Sequence, residues 1–239
     1  MSYKIAQISD THIRLYKYHY EYRIVFEQLY EKLREEKPDY IVHCGDLFHN
    51  KTDLSPEAIS MCANFLKSLA DIAPVYLIAG NHDGNLKNST RQDAITPVVN
   101  ALAHPDIHYL LNAGETVLQP DLAFNVLSVF DEDNWVKPSD PDRINIALYH
   151  GSVSGVKTDT GWVMDHGDHD IGVFAGHDFA MLGDIHKTNQ ILDDDGRVRY
   201  PGSTVQQNHG ETNDKGFLIW DIEDKDTFTV KHHVLLNPK

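Results

Sequence analysis

Short apolar runs recur along the first third of the chain, and longer amphipathic segments separate them. Residues 3–9, 40–44 and 75–78 are short stretches rich in apolar side chains, which predicts buried strands. Residues 20–37, and the segment that begins at Ser55 and Pro56, instead carry apolar side chains at helical spacing. Strands alternating with helices in this way predict a parallel sheet with helical crossovers.

The remaining two thirds of the chain have a different pattern. After a third predicted helix at residues 91–103, the apolar runs become shorter and turn residues more frequent, which is typical of antiparallel strands. Strands are predicted at residues 109–111, 116–118, 124–129, 144–149, 179–182, 190–192, 198–200, 216–222 and 227–236. Residues 153–170 are predicted to form an ordered or mobile loop that covers a functional site. With no repeat or low-complexity linker, residues 1–239 are expected to form one domain of two sheet layers with helices outside.

Composition narrows the possible functions. A formal net charge of −15 makes the surface as a whole repel nucleic acid, so a polyanion would need metal ions or a local basic patch. Cys44 and Cys62 are too few for a disulfide scaffold and are not spaced as a zinc motif. The chain starts without a signal-peptide pattern and contains no apolar run of about 18 residues, so no membrane partner and a cytoplasmic location are expected.

Polar side chains follow five of the predicted strands. Aspartate, histidine and asparagine suit manganese, iron, zinc or magnesium, and there are more of them than one ion needs. Two divalent ions are therefore predicted. The candidate ligands are Asp10, His12, Asp46, Asn81, His150, Asp184 and His186. The competing interpretation is that the aspartates only form turns after strands, but their joint occurrence with the other side chains argues against it.

Residues 80–83 are the most informative of these strand ends. Gly80 is expected to permit an unusual backbone turn. Asn81 offers a neutral oxygen ligand, which leaves His82 free to donate a proton to a leaving group or to stabilise a transition state, with Asp83 as its orienting partner. Asp46 stands alone after the second strand and is the candidate for a carboxylate that bridges both ions.

The order and spacing of these residues resemble a known signature. Asp10-x-His12, Gly45-Asp46, Gly80-Asn81-His82-Asp83, His150 and Gly183-x-x-His186 resemble the motifs of calcineurin-like metallophosphoesterases. That resemblance implies a four-layer α-β-β-α sandwich of two mixed sheets flanked by helices. The segments GDLFHNK, YHGSVSG, MLGDIHK and YPGSTVQQNHGE are similar to the nuclease subunit of SbcCD-type double-strand-break repair complexes and its phage recombination counterparts.

The resemblance also implies how the ligands are shared. The first ion would be held by Asp10, His12, Asp46 and His186, and the second by Asp46, Asn81, His150 and residue 184. Position 184 departs from the pattern, because the family usually has histidine there and this chain has aspartate. An oxygen ligand at residue 184 would favour manganese, with magnesium as the alternative, over zinc. The alternative is that Asp184 is not a ligand.

The resemblance implies DNA as substrate and a coiled-coil ATPase of the SbcC type as partner, in a bacterial or phage-infected cell. His49, Ser203 and Thr204 are candidate substrate-binding residues, with structural roles as the alternative, and a homodimer is a further option. The accessory helical region that usually follows is expected to be absent or truncated. Rival functions are hydrolysis of a phosphomonoester, nucleotide or small diester, and a catalytically idle binding or assembly subunit.

Overall fold

The computed structural model describes residues 2–88 and 90–238, which contain two six-stranded sheets. The strands are β1 (Tyr3–Ile8), β2 (Tyr40–His43), β3 (Val75–Leu77), β4 (Ile107–Tyr109), β5 (Gly114–Gln119), β6 (Leu122–Leu127), β7 (Ile144–His150), β8 (Phe179–Gly183), β9 (Gln190–Ile191), β10 (Val198–Tyr200), β11 (Gly216–Ile222) and β12 (Phe228–Val234). The first sheet has the order β12-β11-β1-β2-β3-β4, and the second β5-β6-β7-β8-β10-β9.

Both sheets are mixed. In the first, β1 to β4 are parallel neighbours, and the hairpin of β11 and β12 adds antiparallel strands beside β1. In the second, β6, β7, β8 and β10 are parallel, and β5 and β9 are antiparallel edge strands. The carboxyl ends of the parallel strands are where α/β folds place their sites.

Three α-helices follow the parallel strands of the first sheet: α1 (His19–Glu36), α2 (Pro56–Ala70) and α3 (Ile95–Leu102). Ser55 caps α2 as its sequence predicts, because its hydroxyl accepts a hydrogen bond from the backbone N–H of Ala58 at 3.2 Å. None of the helices in the described ranges is long and apolar enough to cross a membrane.

The apolar side chains form three layers around the two sheets. Period-two alternation in β1 sends Ala6 and Ile8 towards the helices and Ile5 into the core between the sheets, which also holds Trp220 and Phe124. The outer face of the second sheet is covered by a segment that includes the 3-10 turn Ile171–Phe174. The predicted sandwich of two mixed sheets flanked by helices is confirmed, with α-helices on one side and a 3-10 turn with ordered loops on the other.

Two details differ from the sequence prediction. The strands near residues 109 and 124 are not purely antiparallel: β4 lies parallel to β3 at the edge of the first sheet, and β6 pairs in parallel with β7 as well as antiparallel with β5. The third helix begins at Ile95 rather than at residue 91. Its start is set by Asp93, whose Oδ1 accepts hydrogen bonds from the backbone N–H groups of Ile95 and Thr96, both at 2.8 Å.

Candidate metal centre

The loops after β1, β2, β3, β7 and β8 bring the predicted ligands together. The loops after β1 and β2 are joined directly, because the backbone N–H of Asp10 donates to the carbonyl of Gly45 at 3.1 Å and that of His12 to the carbonyl of Asp46 at 2.9 Å. The second sheet contributes His150 as the last residue of β7, and Asp184 and His186 after β8. All seven predicted ligands lie around one cleft between the two sheets.

The backbone is unusual at four of these residues. Asp10, His12, Asp46 and Asp184 have φ angles of 51°, 48°, 56° and 98°, in the left-handed region that side chains other than glycine disfavour. Neighbouring structure must therefore hold this conformation, and Tyr22 of α1, for example, donates its hydroxyl to the carbonyl of His12. Non-glycine residues in this region concentrate at functional sites, where the surrounding fold fixes them.

Glycines give the ligands room to approach one another. A Cβ on Gly80 would collide with the carboxylate of Asp46 and lie 2.7 Å from the ring of His150, and one on Gly45 would collide with the same ring. Gly45 also has a φ of 92°. Gly80 has no positive φ, so the expectation of an unusual turn at this position is wrong. Glycine is required at residue 80 because a side chain there would collide with Asp46 and His150.

Three side chains form a first cluster. The Nε2 atoms of His12 and His186 are 3.0 Å apart, and they lie 3.8 Å and 3.9 Å from Oδ1 of Asp10. Two donor atoms that each stand about 2.1 Å from one ion are roughly 3.0–3.4 Å apart. The two imidazoles are thus spaced as they would be on a shared ion, and the three ligand atoms lie within 4.8 Å of one another.

A second cluster adjoins the first through Asp46. Its Oδ2 is 3.5 Å from Nε2 of His12 and 3.4 Å from Nε2 of His150, which is the position expected of a bridging carboxylate. Asp184 completes this side, since its Oδ1 lies 3.8 Å from Nε2 of His150 and 3.5 Å from Nδ2 of Asn81. The structure therefore places Asp184 beside the other proposed ligands of the second ion.

The residues present fit divalent cations. Nε2 of His150 and Oδ1 of Asn81 are buried and lack hydrogen-bond partners among the described residues, although buried polar atoms are normally satisfied. The other ring nitrogen of His150, Nδ1, donates to the carbonyl of Cys44 at 2.7 Å, which directs Nε2 into the cluster. A histidine oriented in this way by a backbone carbonyl is the usual arrangement in a metal site.

Electrostatics in the cluster also call for positive charge. Burial raises the pKa of Asp10 to about 6, with the charge of Asp46 adding to the effect. Burial would also raise the pKa of Asp46, but His150 and His12 outweigh it and hold that pKa below its usual range. Burial lowers the pKa of His12, which keeps its imidazole in the neutral form that binds metals.

Glu211 and Lys215 also belong to the centre, although neither is predicted from the sequence. Oε1 of Glu211 accepts a hydrogen bond from Nδ1 of His186 at 2.9 Å, and Oε2 lies 3.1 Å from the buried ammonium of Lys215. That ammonium also donates to the carbonyl of His186 at 2.8 Å and lies 3.5 Å from Asp159. Glu211 thus orients His186, a proposed ligand, through the ring nitrogen opposite the one that lies in the first cluster. Its position in the YPGSTVQQNHGE segment and the four-residue Glu-to-Lys spacing were the available signals.

His82 lies at the exposed rim of the centre, and Asp83 does not orient it. The carboxylate of Asp83 accepts hydrogen bonds from the backbone N–H groups of Leu47, Phe48 and Gly80 at 3.2, 2.9 and 2.9 Å. Nδ1 of His82 donates instead to the carbonyl of His49 at 2.7 Å. The prediction that Asp83 is the catalytic partner of His82 is therefore wrong. Asp83 is fully buried and joins the loop after β2 to the turn after β3.

The three candidate substrate-binding residues separate into two groups. His49 is partly exposed and stacks on His82, with ring centroids 5.6 Å apart, so it remains at the cleft. Ser203 and Thr204 are fully buried, and the hydroxyl of Thr204 donates to the carbonyl of Ser9 at 2.8 Å. Burial and the hydrogen bond of Thr204 favour a structural role for this turn, and substrate contact by these two side chains stays a prediction.

Comparisons with known proteins show the family of the chain. The model of the calcineurin-like phosphoesterase family matches residues 3–234. An uncharacterized protein, R555 of Acanthamoeba polyphaga mimivirus, is 39% identical over 236 residues, which cover 92% of this chain and 17% of that protein. The chain therefore spans less than a fifth of the length of this relative.

Two solved structures share the fold. TT1561 of Thermus thermophilus has a TM-score of 0.59 at 11% identity, with 97% of this chain and 99% of that chain covered. GAP50, described as the anchor in the inner membrane complex of Plasmodium, also has a TM-score of 0.59, at 14% identity, with 100% and 90% covered. With the family model matching nearly the whole chain, this protein belongs to the calcineurin-like phosphoesterase family.

Proposed function

We propose that this chain is a two-metal phosphodiesterase that hydrolyses DNA as the nuclease subunit of an SbcCD-like complex. The observation that carries the proposal is the convergence of four sequence segments, at residues 45–51, 149–155, 181–187 and 200–211, around one cleft. By sequence alone, each of them resembles the corresponding segment of SbcCD-type nucleases, and each supplies or supports a proposed ligand. A coiled-coil ATPase partner of the SbcC type is part of the same proposal.

The proposed ligands would be shared between two ions. Asp46 would bridge the ions, with Asp10, His12 and His186 on one side and Asn81, His150 and Asp184 on the other. When bound, a pair of divalent ions, manganese by preference and magnesium as the alternative, would stabilise the attacking and leaving oxygens of phosphoryl transfer.

His82 would assist the leaving oxygen. Its ring lies 4.9 Å from that of His12 between centroids, and its backbone N–H donates to Oδ1 of Asp46 at 2.8 Å. Because the carbonyl of His49 holds Nδ1, Nε2 is the ring atom available to donate a proton to the leaving group.

The proposal is tested by assaying linear DNA, single-stranded DNA, a small chromogenic diester and a monoester, each with manganese, with magnesium or with a chelator. Cleavage of DNA and of the diester with either ion, and none with chelator, is expected. His82→Ala should lower kcat by about 10²–10⁴-fold. His104→Ala, outside the cleft, serves as the control. Turnover of the monoester alone would refute the nuclease function.

The strongest alternative is hydrolysis of a phosphomonoester, nucleotide or small diester, which the net charge of −15 favours because the surface repels long polyanions. A catalytically idle binding subunit is the alternative of another class. It would be indicated if none of the four substrates were turned over with either ion in the presence of the ATPase partner.

A further inference from the structure

One side of the metal centre carries positive charge although the protein is strongly acidic. A cavity of about 520 Å³ opens beside His82, and two lysines, two histidines and no described carboxylate line it. The polar side chains of the lining that concern a ligand are His82, Lys51, Lys87, Asn50 and Asn85. We call it the lysine pocket. In a chain with 36 acidic and 21 basic residues, a cavity lined by two lysines and no described carboxylate differs from the overall charge of the protein.

The opposite side of the centre has the reverse character. A second cavity, of about 270 Å³, is lined by the carboxylates of Asp159, Asp184 and Glu211 together with His186. Lys215 pairs with Asp159 and Glu211 and offsets one of these three charges, so this cavity keeps an excess of negative charge. A substrate anion that extends beyond the reacting phosphate would therefore be attracted to the lysine pocket rather than to this cavity. The difference in charge between the two cavities would favour substrates that extend from the metal centre towards the lysine pocket.

The lysine pocket is directly continuous with the proposed site. Asn81 and His82 line it and also contact the metal cluster, the first within 3.5 Å of Asp184 and the second through its N–H to Asp46 at 2.8 Å. Lys51 is fixed at the pocket wall, because its ammonium donates to the carbonyls of Asn81 and Gly84 at 2.9 and 2.7 Å. An ammonium has three donor hydrogens, so one remains for a ligand.

We propose that the lysine pocket binds the phosphate that neighbours the scissile phosphodiester in a polynucleotide. Lys51 and Lys87 would supply the charge, and the amides of Asn50 and Asn85 would supply further hydrogen-bond donors. The inference rests on the proposed function and sharpens it, because a monoester or a small diester has no second phosphate to place there. The pocket would select for substrates that continue on the His82 side of the centre.

Lys87→Gln is the main test, because Lys87 is exposed and belongs to neither metal cluster. The kcat and KM of the variant are compared for a short single-stranded oligonucleotide and for a chromogenic diester with no second phosphate. KM for the oligonucleotide should rise several-fold with kcat nearly unchanged, and the small diester should be unaffected. Removing one phosphate contact should also reduce the salt dependence of log KM by about 0.7. Lys67→Gln, an exposed lysine of α2, is the matched control.

A second experiment combines a modified substrate with the Lys87→Gln variant. An oligonucleotide with an uncharged methylphosphonate at the linkage next to the cleavage site should lose several-fold in kcat/KM with the unaltered protein and nothing further with Lys87→Gln. Additive losses, an equal effect on the small diester, or no effect of Lys87→Gln would overturn the pocket proposal while DNA cleavage itself stands. If the unmodified oligonucleotide is not cleaved and the small diester is, the proposed function fails, and the pocket proposal fails with it.

Discussion

At the residue scale, Asp184 decides the character of the second proposed ion site. Its Oδ1 lies within 3.8 Å of His150 and 3.5 Å of Asn81, and its backbone N–H donates to both carboxylate oxygens of Asp10 at 3.1–3.2 Å. The carboxylate replaces an imidazole expected from the resemblance. It brings an oxygen donor and a negative charge to this side of the centre.

Asp184→His should move metal preference from manganese towards zinc, because an imidazole is a softer ligand than a carboxylate. Competitive titration of the two ions, followed by metal analysis of the protein, would measure the change. Asp194→His, in the exposed turn between β9 and β10, is the control. Unchanged preference and affinity in Asp184→His would mean that residue 184 is not a ligand.

Glu211 acts on the centre through His186. Substitution by glutamine keeps the shape but removes the charge, so affinity for the ions should fall by about 10–100-fold, as for other carboxylates that hold a ligating histidine. The substitution also deprives the buried Lys215 of its nearest carboxylate and should destabilise the metal-free fold by about 3 kcal/mol. Urea unfolding in chelator would measure this change, with the exposed Glu223→Gln as control.

The stability contribution of Glu211 depends on pH with a definite sign. Burial opposes its ionisation, but His186 and Lys215 prevail and lower its pKa from 4.5 to about 2. A carboxyl whose folded pKa is depressed stabilises the fold fully above its unfolded pKa and loses that contribution as the pH falls towards the folded value. The difference between the original protein and Glu211→Gln should therefore shrink between about pH 4.5 and pH 2. A constant difference across this range would contradict the ion-pair explanation.

At the scale of elements, the turn after β3 depends on the absence of a side chain at residue 80. The methyl group of Gly80→Ala should push Asp46 and His150 away from residue 80. Such overpacking of a buried site lowers the free energy of unfolding by about 1–3 kcal/mol. Metal affinity should fall together with stability, since both clusters share Asp46. Gly172→Ala is a matched control, because a Cβ there meets no atom within 4 Å. Equal melting temperatures and metal affinities for the two variants would refute the close-approach argument.

The elements that sequence predicted well are those with local signals. β1, β2 and β3 combine an apolar run with polar residues directly after it, and Ser55 with Pro56 marks the start of α2. The start of α3 was misplaced because Asp93, not the apolar spacing, ends the preceding turn. Strand pairing in the second sheet depends on contacts distant in sequence, which no local pattern contains.

At the site, too, residues with a local sequence signal were predictable, and those whose role depends on contacts distant in sequence were not. The positions of Asp10, Asp46 and His150 were predictable, because each lies at the carboxyl end of a parallel strand in one of the two sheets. Asp83 and Glu211 were assigned wrongly or missed, since their roles depend on which backbone or side-chain partner the fold brings near. A carboxylate beside a histidine in sequence can bind a different loop in space, as Asp83 does with Leu47 and Phe48.

At the scale of the whole molecule, the proposed ions would link the two sheets. The first sheet supplies Asp10, His12 and Asp46, and the second supplies His150 and His186, so ions held between them resist separation of the layers. A ligand present at 100 times its Kd stabilises by about 2.7 kcal/mol. In a domain of this size the melting temperature should rise by roughly 5–10 °C for each filled site.

Thermal unfolding with chelator, manganese or magnesium would measure this effect. The rise should be absent in the double variant Asp46→Asn with His150→Ala, which removes ligands from both sides of the bridge. An equal rise in that variant would place the stabilising ions elsewhere, for example on the acidic surface.

The left-handed backbone at Asp10, His12, Asp46 and Asp184 also bears on how lineages with this fold diverge. Under selection for stability alone, non-glycine residues would be disfavoured there, because each opposes folding by on the order of 1 kcal/mol. A descendant that abandons hydrolysis but keeps the scaffold for binding is therefore expected to drift first at these four positions, towards glycine or asparagine. The buried strands would change more slowly, so the ligand positions would reveal the loss of chemistry before the architecture does.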